Sequence, residues 1–136
     1  MGLFGKIIKS FSGAEGQMEV QIDNALDYIK RDIGHSKMLA YHKKDNQLFW
    51  WFAYGIATTT KSQFDRFGND QELTMKVFSI VREALEKNGL SCDDNTDYAK
   101  QDEVFGLGRQ YAYGVFSKNR ANYMAAISSI VSIINK

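Results

Sequence analysis

The chain has 136 residues, with 17 Lys and Arg against 16 Asp and Glu, a formal charge of +1 and a pI near 7.8. Domain-size averages make it one domain spanning 1–136, and 44% hydrophobic with 24% charged residues excludes a disordered chain. The balanced charge lacks the basic excess of a nucleic-acid binder, and a single Cys excludes a disulfide framework or a zinc ribbon and fits a reducing cytoplasm.

Proline is absent, where average usage of about 5% would supply roughly seven. Helices can therefore run without interruption, and glycine supplies the punctuation. Gly34, Gly68 and Gly89 each follow a periodic run, as a residue just past a helix end does.

In chain order, Leu3, Phe4, Ile7, Ile8 and Phe11 fall on one face with Lys6 and Lys9 opposite, which predicts a short amphipathic helix over 1–12, semi-independent of the rest. Its lysines rule out a secretory signal, and Lys6 stands where a myristoylation pattern needs Ser or Thr. Ser12-Gly13-Ala14-Glu15-Gly16 reads as a joint. A second helix over 16–33 carries the apolar stripe Met18, Ile22, Ala25, Leu26, Ile29 and Ile33. A third helical region over 36–67 should break at Lys43-Lys44-Asp45-Asn46, which has no apolar face to bury.

Residues 46–60 carry no charge and contain Leu48, Phe49, Trp50, Trp51, Phe52, Tyr54 and Ile56. A segment apolar all round is buried on every side, and this one is too short to span a bilayer, which takes about 20 residues. Ile56, Thr58, Thr59 and Thr60 are β-branched, so this tail could be extended, although the helical reading is kept through it.

A fourth helix over 70–88 opens with Asn69 and Glu72 as a capping box. It buries Leu73, Val77, Ile80, Val81, Ala84 and Leu85, and stops at Gly89. Glu72–Lys76, Arg82–Glu86 and Glu83–Lys87 form i,i+4 pairs on its wet side, each worth roughly 0.2–0.5 kcal/mol. A fifth helix, starting near Asn95, carries Val104, Leu107, Gly108, Tyr111, Ala112 and Val115. The last, over 119–135, carries Met124, Ile127, Ile130, Val131 and Ile134; residues 121–135 are uncharged, so it should dock, with Ser128, Ser129 and Ser132 bonding back to its carbonyls where buried.

Chemistry-bearing patterns are thin. Asp93, Asn95 and Asp97 have calcium-loop spacing, but Tyr98 replaces the turn Gly and Val104 the closing Glu, so helix capping is the better account. Asp32-x-x-His35 resembles half of a di-iron motif without its second half, and His35 and His42 lack the spacing of a zinc pair. Cys92 has acidic neighbours that disfavour a thiolate. Gly106-x-Gly108 continues to Tyr111 rather than Gly, so it reads as small residues for close helix approach, not a dinucleotide loop. After Glu103 only bases remain: Arg109, Lys118, Arg120 and Lys136.

Glu15, Glu19, Asp23 and Asp27 recur at i,i+4 as an acidic stripe, either a solvated face or the docking rim for a basic partner. The aromatic run cannot point all its rings one way, so some are sandwiched between helices or form an interaction patch. These features predict an all-α bundle of five or six helices, with the second, fourth and fifth packing around the aromatic segment. The expected function is non-enzymatic: a cytoplasmic adaptor, regulator or inhibitor that binds another protein or itself, with no cofactor, metal or nucleic acid. Trp50, Trp51 and Tyr54 are the expected anchors and Glu19, Asp23 and Asp27 the rim. One alternative is peripheral membrane attachment through Leu3, Phe4, Ile7, Ile8 and Phe11. Another is an apolar ligand held between the aromatic segment and the last helix.

Overall fold

The computed structural model describes residues 13–64, 71–92 and 101–136. It is all-α, with six helices among the described residues: α1 (Ala14–Ile33), α2 (His35–Lys44), α3 (Leu48–Phe64), α4 (Gln71–Lys87), α5 (Asp102–Phe116) and α6 (Arg120–Ile134). The uncharged stretch becomes the axis. α3 buries Leu48, Phe49, Trp50, Phe52, Ala53, Ile56 and Ala57, and α1, α4 and α5 pack around it as the periodicities imply.

The break after Lys44 is where the missing apolar face put it. Asp45 is extended at φ −138°, and its carboxylate accepts the Gln47 amide at 3.1 Å and the Gln101 side-chain amide at 3.3 Å. The tail is helical, as the reading kept for it, rather than extended. Ile56–Thr60 stays helical because the Thr58 and Thr60 hydroxyls donate to the carbonyls of Tyr54 and Ile56 at 2.9 and 2.8 Å. Burial of Ile56, Ala57, Thr59 and Thr60 then outweighs the weak β preference of these side chains. The joint is shorter than the glycines suggested, since Ala14, Glu15 and Gly16 already belong to α1.

α3 and α5 cross at two glycines. A β-carbon on Gly108 would overlap the Phe52 carbonyl oxygen and stand 3.1 Å from the Gly55 α-carbon, and one on Gly55 would overlap the Phe105 carbonyl oxygen. Gly106 faces open space. Close approach at Gly108 was legible in the sequence; its partner Gly55, inside the aromatic run, was not.

Two helices end in the same hydrogen-bonded turn with different residues at its left-handed position. After α4, the Leu90 amide bonds to the Leu85 carbonyl at 2.8 Å and the Gly89 amide to that of Glu86 at 3.1 Å, with Gly89 at φ +76°. After α5, the Asn119 amide bonds to the Gly114 carbonyl at 2.8 Å and the Lys118 amide to that of Val115 at 3.1 Å, with Lys118 at φ +57°. Lys118 thus sits where glycine normally does, in a backbone region that costs an ordinary L-residue about 1 kcal/mol or more. α6 starts cleanly, the Asn119 side chain accepting the Asn122 amide at 3.1 Å, and docks through Ala126, Ile127, Ile130 and Ile134. Ser128, Ser129 and Ser132 point outward and are exposed.

Tyr111 of α5 is 1% exposed, edge-on to Phe52 and Tyr123. Burial, with Tyr28, Tyr123 and Asp27 nearby, pushes its phenol above the ordinary 10.0. In the unfolded chain Tyr111 begins to ionise near that value while the folded protein keeps its proton, so stability is full below pH 10 and falls above it. Urea unfolding between about pH 10 and 11.5 should show a loss of up to about 1.4 kcal/mol per pH unit from this group, and Tyr111→Phe should flatten that slope.

Candidate functional site

The acidic stripe is answered across helices rather than along its own. Lys76 bonds Glu15 at 2.9 Å and Glu72 at 3.2 Å, and Lys87 bonds Glu19 at 2.6 Å and Asp23 at 3.1 Å. Burial lowers the Lys87 ammonium pKa, but these two bonds outweigh it and hold the group above its ordinary value. Glu19 and Asp23 retain 17% and 18% side-chain exposure. They clamp α1 to α4 instead of forming an open rim, and of the three expected rim residues only Asp27 is exposed.

His42 and Cys92 are structural. His35 is exposed, whereas His42 is buried, its Nε2 donating to the Ser91 carbonyl at 2.8 Å, and its Nδ1 has no hydrogen-bond partner among the described residues. Half-buried Cys92 donates to the Asn46 carbonyl at 3.2 Å, and burial raises its thiol pKa against the opposing pull of Arg82. Together they pin the segment after α4 onto the α2–α3 turn. Among the described residues no group of His, Cys, Asp and Glu comes together to hold a metal, and no helix is long and apolar enough to cross a membrane. Asp93, Asn95 and Asp97, the Asn69 cap, Gly68, and Leu3, Phe4, Ile7, Ile8 and Phe11 lie outside the described residues.

The aromatic run divides by helical position. Phe49 and Phe52 are fully buried and Trp50 is 4% exposed, wedged against Tyr54 and Phe78 at ring-centre separations of 6.2 and 5.8 Å. Trp50 is therefore core, and an accessible anchor at that position is excluded by its burial. Trp51 and Tyr54 are partly exposed, edge-on to one another at 5.8 Å. Both touch Phe105 of α5, at 6.2 and 5.9 Å, and Tyr54 also meets Phe78 of α4 at 5.4 Å. The Trp51 Nε1–H is buried with no hydrogen-bond partner among the described residues.

The result is a continuous line of rings, Phe78, Tyr54, Trp51 and Phe105, crossing three helices. α4 and α5 each pack on α3 rather than extensively on one another, which leaves this line as the floor between them. Its α4 edge stands proud: Phe78 is 55% exposed and Met75 76% exposed. Neither was singled out from the sequence, although the signal was there. Assigning Leu73, Val77, Ile80, Val81, Ala84 and Leu85 to the buried face leaves Met75 and Phe78, one turn apart, among the charges of the wet face. The cleft beside α6 is lined by tyrosines, amides and cations rather than by residues 49–54, which departs from the apolar pocket expected there. Compared with family models, curated proteins and solved structures, the chain has no significant match.

Proposed function

We propose that this protein acts by binding another protein, without catalysis of its own, through the aromatic and methionine face built by α3, α4 and α5. The observation that carries the reading is the exposure of Met75 and Phe78 beside the half-buried Trp51, Tyr54 and Phe105. Aromatic side chains and Met are enriched at interfaces, and Met gives such a surface adaptability. The rings are held by the core beneath them, so little ordering entropy is lost on docking. The partner that fits is the apolar face of a helix or an equivalent hydrophobic segment, with Trp51 and Tyr54 as the floor and Met75 and Phe78 as the reachable edge. A lone cysteine suits a cytoplasmic setting for this role.

The double substitution Met75→Glu with Phe78→Glu tests it, because both side chains already face water and the fold should persist. Affinity capture from lysate of the source cell should retain one partner near stoichiometry with the natural chain. Loss of a hot spot worth about 2 kcal/mol should cut that retention roughly 30-fold in the variant. Sedimentation of the purified chain covers the self-association case, in which the variant converts a dimer to a monomer. Equal retention by both forms, with no self-association by either, would remove this face from the function.

A further inference from the structure

A second site lies where α1 meets the α5–α6 turn, sharing no residue with the aromatic face. It is a cleft of about 320 Å³, at the small end of the size range of ligand sites. Three tyrosines from three helices converge on it: the Tyr28 and Tyr123 rings are 6.3 Å apart, and those of Tyr111 and Tyr123 are 5.7 Å apart. Its rim is cationic, formed by Lys118 and Arg120. Arg120 is the first residue of α6, so the positive end of that helix lies at the same rim.

Two further features accompany the cleft. Gln21 lines the cleft, and its buried side-chain oxygen has no hydrogen-bond partner among the described residues. Lys118 holds a left-handed backbone at φ +57°, at the position where the equivalent turn after α4 uses Gly89. Among the described residues no acid lines the cleft itself; Asp27 lines an adjoining notch with Arg31, whose guanidinium lies 5.7 Å from the centre of the Tyr28 ring.

The geometry points to a binding site for a small organic phosphate. Its phosphate sits between Lys118, Arg120 and the start of α6, and its flat or hydroxylated body lies against Tyr28 and Tyr123. Phosphate suits two cations and a helix N-terminus together, and tyrosine walls suit a body that is partly apolar and partly polar.

Phenyl phosphate is the probe, titrated into the isotopically labelled full chain and followed by amide and tyrosine-ring chemical shifts. Saturable shifts confined to Lys118, Arg120, Tyr123 and Tyr28 are expected, and Arg120→Gln should weaken binding roughly tenfold. Lys118→Gly should weaken it similarly while raising the thermal midpoint, a combination that mere unfolding cannot produce. Benzyl alcohol, which lacks the phosphate, should not saturate. The proposal is overturned by the absence of saturable shifts at about 10 mM probe, by shifts indifferent to Arg120→Gln, or by inorganic phosphate binding as tightly as phenyl phosphate.

Discussion

Gly108→Ala should cost about 2–4 kcal/mol in urea unfolding, a large share of the roughly 5–15 kcal/mol that holds a domain folded. The added methyl has nowhere to go, because the atom it meets is the Phe52 carbonyl oxygen, part of a backbone already fixed by α3, with the Gly55 α-carbon 3.1 Å away. Relief requires α3 and α5 to separate, and that loosens the most extensive helix contact among the described residues. Gly106→Ala, two residues earlier on the same helix, meets open space. It should stabilise by about 0.5–1 kcal/mol through helix propensity alone. Opposite signs at positions 106 and 108 are the expected result. A mild effect of the same sign at both would mean that the two helices do not cross at these glycines.

Phe49→Ala should cost about 3–5 kcal/mol, the range for truncating a buried Phe. The ring is fully buried and stands edge-on to Tyr41 at 6.5 Å and beside His42 at 6.0 Å, so it is the main link between α3 and the short helix α2. Its loss would open a cavity under α2 and undo the His42–Ser91 bond that ties down the segment after α4. Hydrogen exchange should therefore accelerate throughout His35–Lys44 before it does so in α1, and the unfolding midpoint should drop. A change below about 1.5 kcal/mol would show that the site collapses to fill the void.

Local periodicity carried most of the fold. The stripe of α1, the buried face of α4 and the interruption after Lys44 each follow from which residues within one element are apolar, and the structure places them accordingly. Long-range choices were less visible. Lys87 was expected to pair along its helix with Glu83, but it reaches α1 and takes both Glu19 and Asp23, because the two acids are presented together across the α1–α4 contact. The same preference turned an expected docking rim into an internal clamp.

Within the aromatic run the adjacent rings divide, as rings that cannot all face one way must, but their division depends on the neighbouring helices. Trp50 goes inward against Phe78, while Trp51 and Tyr54 meet Phe105. Met75 and Phe78 were recoverable as large apolar residues stranded on a charged face. The left-handed turn at Lys118 was not, since a lysine carries no sequence signal for that backbone.

The most direct test of the docking face is a photo-crosslinking amino acid, p-benzoylphenylalanine, placed at Phe78 in the source cell, with the same probe at exposed Ser129 on α6 as the comparison. The account predicts one dominant crosslinked protein, or a crosslinked second copy of this chain, from position 78 and none of comparable yield from position 129. Equal products from both positions, or products from 129 alone, would contradict it.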